Sequence, residues 1–251
     1  MSLHHPQLLL LLLSLYQVDC SVRVAAELPN VLVCIIAAKR ENVSYVHQVA
    51  QAFREDAPIS GVLIDLDNHY SDIALPSHFV RIIPLNRVKE NCDPNEGDIG
   101  RPNCVARQQT RDVAVGLQKC NEIVQTNGWL LMLEDDMFPC RGAIQQIIQY
   151  LAKLDVSTVH TVRFAKFSRA VAFPPPHTVG LYISAILNAI ENMPSDLLVD
   201  GAWGGGSAVV YEGGSLFRHI GVVSTNRYRN EDGFRKKWGE LRNENCGDSL
   251  S

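Results

Sequence analysis

Three consecutive carboxylates, Glu134, Asp135 and Asp136, close the stretch WLLMLEDD directly after the apolar residues Trp129–Leu133. Adjacent like charges repel, so solvent, a helix N-terminus or a bound cation must offset them. Acids at the end of a strand bind hard cations through oxygen, and Mg2+ or Mn2+ held there can neutralise the phosphates of a nucleotide. In nucleotide-sugar chemistry such an ion stabilises the departing diphosphate as the glycosidic bond breaks. The plainer reading makes Asp136 the N-cap of the helix that follows. The residues alone leave both readings open.

The elements that must position these acids show in the hydrophobic pattern. Val31–Ala37 is a continuous apolar run, which predicts a strand covered on both faces. Val43, Val46, Val49, Ala50 and Phe53 recur at helical spacing, and Gly61–Leu66 and Phe79–Leu85 read as two further strands. Residues 86–104 form a polar loop carrying Pro94, Gly97, Gly100 and Pro102. Val113, Leu117, Cys120 and Val124 make the stripe of the next helix, which ends before Gly128. The strand that carries the acids follows at once.

Ile144, Ile147, Ile148, Leu151 and Leu154 then form a helical face ahead of a strand at Thr158–Phe164. Beyond it Pro174–Pro176 break the chain, and a helix is predicted over Val179–Glu191. A Gly204–Gly206 turn, a strand over Ser207–Tyr211 and a final helix over 232–242 complete the pattern. Strands alternating with helices predict a single α/β domain built on a mostly parallel sheet. Ligands of such sheets gather beyond the carboxyl ends of the strands, where Glu134–Asp136 stand.

A chain of 251 residues, 46% hydrophobic and 20% charged, suits one domain with a real core. The net charge of −4 and the lack of any Lys/Arg run argue against nucleic acid as a partner. The sequence has no G-x-x-x-x-G-K-[ST] loop and no G-x-S-x-G elbow, which leaves P-loop and Ser-hydrolase chemistry unsupported. The first strand runs into Ala37-Ala38-Lys39-Arg40-Glu41 rather than G-x-G-x-x-G. Lys39 and Arg40 there either cap a strand end in solvent or face a phosphate.

Leu8–Leu13 is too short to span a bilayer and suits the apolar core of a secretory signal. Residues 1–20 are expected to form it, with Val18 and Cys20 preceding the cleavage point, or 1–26 if Val24–Ala26 is used. A buried N-terminal helix or an uncleaved anchor are the competing readings. The domain then occupies 27–251. Secretion permits disulfides among Cys34, Cys92, Cys104, Cys120, Cys140 and Cys246. Cys92 and Cys104 flank the polar loop and could staple it, but connectivity cannot be read from spacing. Asn42-Val43-Ser44 is a glycosylation sequon.

Four segments together resemble the N-acetylglucosaminyltransferase IV family and the related enzyme that adds N-acetylgalactosamine to glycosylphosphatidylinositol anchors. IIAAKRENVSYVHQV resembles the family's first strand–helix unit, and RQQTRDVAVGLQKC the helix before the acids. WLLMLEDD resembles its Glu-Asp-Asp strand, and SLFRHIGVVSTNRY its histidine segment. The resemblance implies a GT-A fold with a Rossmann-like, mostly parallel sheet flanked by helices. It implies a UDP-sugar donor, Mn2+ (or Mg2+), a glycan or glycolipid acceptor and a Golgi-lumen or secreted setting.

Carried over residue by residue, the resemblance assigns the metal to Asp136 and His219, and donor binding to Lys39, Arg40, Asp112, Glu134 and Asp135. It also matches MPSDLLVD to a Pro-x-Asp-x-Leu-x-Asp segment, which makes Asp196 the general base of an inverting transfer. Asp232, in RNEDGF, is the competing base, and a capping role is the plain reading of Asp196. The expected activity is transfer of an N-acetylhexosamine or related sugar. The rival expectations are a secreted protein that keeps the fold without catalysis, and a metal-dependent nucleotide-sugar hydrolase.

Overall fold

A computed structural model describes residues 29–38, 45–53, 59–85, 87–92, 104–124, 128–165, 170–174, 176–189, 207–220 and 246–247. Nine strands run in chain order: β1 (Val31–Ala37), β2 (Ser60–Asp65), β3 (Phe79–Ile82), β4 (Trp129–Glu134), β5 (Met137–Pro139), β6 (Val159–Arg163), β7 (Ala170–Phe173), β8 (Ser207–Val210) and β9 (Phe217–His219). Four helices join them: α1 (Val46–Ala52), α2 (Cys104–Ile123), α3 (Ala143–Leu151) and α4 (Pro176–Ala189). Among these residues no helix is long and apolar enough to cross a membrane.

Seven strands form one sheet in the order β3-β2-β1-β4-β7-β6-β8. The pairs β1/β2, β1/β4, β2/β3 and β6/β8 are parallel, while β7 runs antiparallel to both β4 and β6. This is the expected Rossmann-like, mostly parallel α/β architecture, with one reversed strand inserted. From β1 the chain builds outward through β2 and β3, then returns to start β4 on the other side. The order therefore reverses between β1 and β4, and the crevice at their carboxyl ends is the topological switch point.

The alternation of side chains along a strand explains the layering. In β1, Val31, Val33, Ile35 and Ala37 pack on one face with Val46, Val49 and Ala50 of α1 and Ile147, Ile148 and Leu151 of α3. Leu32 and Cys34 pack on the other face with Ala114, Leu117 and Cys120 of α2 and Val179, Tyr182 and Ile186 of α4. β4 divides the same way, with Trp129, Leu131 and Leu133 on the first face and Leu130 and Met132 on the second. Burying each of the Val, Leu, Ile and Met side chains among them contributes about 1.5–3 kcal/mol. Gly116 lets α2 lie close on β1, since a Cβ there would stand 2.8 Å from Ile36 Cδ1.

Two expectations shift. The third strand stops at Ile82, and Leu85 is 94% exposed, because β3 lies at the sheet edge with no partner beyond it among the described residues. The strands β5, β7 and β9 leave no mark in the hydrophobic pattern. β5 and β9 have only three residues each, too few to show a period, and β7 is a four-residue apolar segment. The predicted helix over 232–242 and the Gly204–Gly206 turn lie outside the described residues.

Three disulfides engage the six cysteines from Cys34 onward: Cys34–Cys120, Cys92–Cys104 and Cys140–Cys246. The first joins β1 to α2 inside the core, where both residues are fully buried. The second closes the polar loop, as its flanking position allowed.

Candidate active site

β4 ends at Glu134, and the chain turns through Asp135 and Asp136 into β5. Glu134 is half-buried, while Asp135 and Asp136 are only 3% and 2% exposed. Ionised carboxylates so far from water require close compensation. For Asp136 part of it is His219, whose Nε2 lies 3.1 Å from Asp136 Oδ2.

That approach is built by backbone pairing. β5 and β9 form a separate two-stranded antiparallel sheet, with Met137 opposite His219 and Pro139 opposite Phe217. The Ile220 N–H donates to the Asp136 carbonyl at 2.9 Å, and the Cys140 N–H to the Leu216 carbonyl at 2.9 Å. Asp136 does not cap the following helix. The N-cap of α3 is Gly142, in the left-handed region at φ 75°, with no side-chain cap bond. The plainer reading of Asp136 is thereby removed.

A second group of charged residues occupies the carboxyl end of β2. Asp65 is fully buried and accepts the N–H groups of His69 and Tyr70 at 2.9 Å each, which fixes the turn after the strand. The Tyr70 hydroxyl donates to the Ala38 carbonyl at 2.7 Å, tying that turn to the residue that follows β1.

Beside this turn Arg87 grips three partners. Its Nε and Nη2 donate to the two oxygens of Asp112 at 2.7 Å each, and its Nη1 donates to the Leu66 carbonyl at 3.1 Å and to Asp67. Burial by itself lowers the Arg87 pKa, but the hydrogen bonds and charges of Asp112 and Asp67 outweigh it, and the net direction is up. The guanidinium is therefore a permanent cation here. Gln108 extends the network: its Nε2 donates to Asp112 at 2.9 Å and to the Val88 carbonyl at 3.2 Å, and its Oε1 accepts the Glu90 N–H at 2.8 Å. Arg111 pairs with Glu90.

The structure thus brings Asp136 and His219 together, with Glu134 and Asp135 beside them. It places Asp112 against Arg87, on α2. Lys39, Arg40, Asp196, Asp232, Asn42 and residues 1–26 lie outside the described residues. Sequence reading missed Asp65, Asp67, Tyr70 and Arg87. The two aspartates carried a usable signal, being acids at the end of a predicted strand, the same logic that picked out Glu134–Asp136. Arg87 carried none, because its partners lie 20 and 25 residues away.

Two clusters invite comparison as metal centres. Glu90, Cys92 and Cys104 lie close together, with Glu90 Oε2 at 3.3 Å from Cys104 Sγ. The two cysteines are bonded to each other, so neither offers a thiolate or a proton, and this cluster is no metal site. Asp136 and His219 fit better. Two donors on adjacent corners of an octahedral ion with bonds of about 2.1 Å stand about 3.0 Å apart. The observed 3.1 Å meets that requirement. A carboxylate with an imidazole is a mixed donor pair that suits Mn2+ more than the oxygen-preferring Mg2+. Without an ion the same two atoms form a hydrogen bond, so the pair is assembled beforehand.

No protein-family model matches the chain, and neither does any curated protein. Among solved structures it is similar to the galactosyltransferase LgtC in complex with donor and acceptor sugar analogues, at 12% identity and TM-score 0.46, over 72% of this chain and 73% of that one. It is also similar to the glycosyltransferase GlyE of Streptococcus pneumoniae, at 11% identity and TM-score 0.40, over 73% of this chain and 45% of that one. A glycosyltransferase involved in glycosylation of the major capsid of PBCV-1 matches at 14% identity and TM-score 0.39, over 73% and 82% of the two chains. These are distant likenesses, and no residue role passes from them to this chain.

Proposed function

We propose that this chain is a metal-dependent glycosyltransferase that moves an N-acetylhexosamine or related sugar from a UDP-sugar to a glycan or glycolipid acceptor, with inversion. The observation that carries the reading is the Asp136–His219 pair, 3.1 Å apart at the carboxyl end of a central strand, beside the switch point of an open α/β sheet.

Asp136 and His219 would hold the divalent ion, and the chemistry it would supply there is positive charge beside the departing diphosphate. Glu134 and Asp135 position the nucleotide, and the resemblance adds Asp112, which is ion-paired with Arg87, to the donor-binding residues. Lys39 and Arg40, which follow β1 in the sequence, are assigned to the donor's phosphates on the strength of the family resemblance. Asp196 takes the proton from the acceptor hydroxyl while that oxygen attacks the anomeric carbon, and the bond from that carbon to the UDP oxygen breaks. One displacement at the anomeric carbon inverts it. The three disulfides support an oxidising compartment, the secretory pathway or Golgi lumen.

The test is turnover of a panel of UDP-sugars by the purified protein with Mn2+, with and without glycan acceptors. Acceptor-dependent UDP release supports transfer, and Asp196→Asn should keep donor binding while losing turnover by orders of magnitude. Donor binding with no turnover against any acceptor would indicate the non-catalytic binding protein. Free sugar released at a catalytic rate without acceptor would indicate a hydrolase.

A further inference from the structure

We infer that the Cys140–Cys246 disulfide is a positioning element for the Asp136–His219 pair. The inference rests on the cation-binding reading given above.

The strand that delivers His219 is weakly held by its own sheet. β9 has three residues and pairs with β5 alone among the described residues. Isolated two-stranded sheets are marginal in water. Pro139, opposite Phe217, has no N–H to contribute to the ladder. Leu216 and Phe217 are buried and anchor the start of the strand, but His219 stands at its far end.

The missing support comes from a distant part of the chain. Cys140 follows β5 directly, and its N–H already bonds the Leu216 carbonyl. Its disulfide partner, Cys246, is 106 residues away, with a Cα–Cα distance of 5.9 Å. The next residue, Gly247, donates its N–H to the Ser215 carbonyl at 2.9 Å. Ser215 in turn donates its hydroxyl to the Phe217 carbonyl at 2.6 Å. Residues 215–217 are therefore gripped on one side by β5 and Cys140 and on the other by Gly247, while the Leu216 N–H donates to the Phe164 carbonyl at 3.0 Å. The disulfide joins the two sides of that grip. Without it, the Gly247 contact must be closed against the full entropy of the intervening chain.

A group that orients a metal ligand without touching the metal contributes about 10–100-fold in affinity. The test is calorimetric titration of Mn2+ alone into the full chain as wild type, as Cys140→Ser/Cys246→Ser, and as Cys92→Ser/Cys104→Ser. The first double variant should bind Mn2+ about 10–100-fold more weakly, and the second should match wild type. Hydrogen exchange supplies a metal-free readout. The Ile220 and Cys140 amides should exchange faster in the first variant, while amides of β4 keep their protection.

Should that variant fail to fold, the same titration is run on folded wild-type protein after reduction of its exposed disulfide. A water-soluble phosphine and water convert the bond to two thiols and phosphine oxide, and the thiols are then alkylated and mapped by mass. Cys246 is exposed whereas the Cys34–Cys120 pair is buried, so the latter stays intact, and any opening of the half-buried Cys92–Cys104 bond is identified in the mass map and controlled by its own double variant. Unchanged Mn2+ affinity after loss of Cys140–Cys246 overturns the inference and leaves the cation site standing. Absence of Mn2+ binding in wild type overturns both.

Discussion

His219 and Asp136 are separated by 83 residues in the chain, yet Nε2 of one lies 3.1 Å from Oδ2 of the other. Nothing local brings them together. The approach is made by a ladder of three residue pairs between β5 and β9, so the proposed ligand pair depends on tertiary structure at a short, two-stranded ladder.

Removing the imidazole should therefore act on the cation more than on the fold. His219→Ala is expected to weaken Mn2+-dependent UDP binding by at least about tenfold, the lower bound even for groups that act indirectly on a metal. Its melting temperature should stay within a few degrees of wild type. Calorimetry with and without Mn2+ measures the first quantity and thermal denaturation the second. Equal Mn2+ dependence in variant and wild type would remove His219 from the site.

The Arg87 cluster predicts a stability effect. Its side chain is 10% exposed and that of Asp112 8%, so taking the cation away removes the buried ion pair of Asp112, while Asp67 keeps the exposed Lys89 at 3.2 Å. Arg87→Met should destabilise the fold by about 3 kcal/mol. Adding Asp112→Leu should recover part of that loss, since the stranded charge disappears. Urea denaturation of the single and double variants gives the coupling. Strict additivity would show that the two residues do not act as a pair.

Gly61 is a site of close approach. Its cross-strand partner is Phe79, and a Cβ built on Gly61 would stand 2.2 Å from the Phe79 ring. The ring cannot swing aside freely, because it is buried and packs on Phe53 at a centroid distance of 5.8 Å. Gly61→Ala is expected to destabilise by about 1–3 kcal/mol. Phe79→Leu in the same molecule should relieve part of the clash, so the double variant should be less destabilised than the sum of the singles. A Gly61→Ala protein as stable as wild type would show that the ring relaxes.

The core disulfide Cys34–Cys120 closes a separation of 86 residues. Replacing both residues with Ala should lower stability by about 3 kcal/mol, chiefly through a freer unfolded chain. Because it lies in the core between β1 and α2, Mn2+ affinity of the folded variant should be unchanged, in contrast to loss of Cys140–Cys246. Denaturation and Mn2+ titration of the same sample separate the two effects.

The sequence by itself determined the layers. Val31–Ala37 and Trp129–Leu133 are apolar on every residue, and such strands must be covered on both faces. The helical stripes, such as Ile147, Ile148 and Leu151, supplied the covers. It also determined where the acids fall, because a strand must end where three charges begin. These features are local, set by period and by the cost of burying charge.

Tertiary structure decided what the acids face. The pairing of the reversed strand β7 with β4, the β5–β9 ladder, the pairing of Cys140 with Cys246, and Arg87 lodged between Asp67 and Asp112 all join residues far apart in the chain. The nearest of these, Asp67 and Arg87, are 20 residues apart. Resemblance singled out His219, but its reach to Asp136 could not be read from spacing. Such contacts leave no period in the sequence, since each forms only when separately folded segments meet and the gain exceeds the entropy of closing the chain between them.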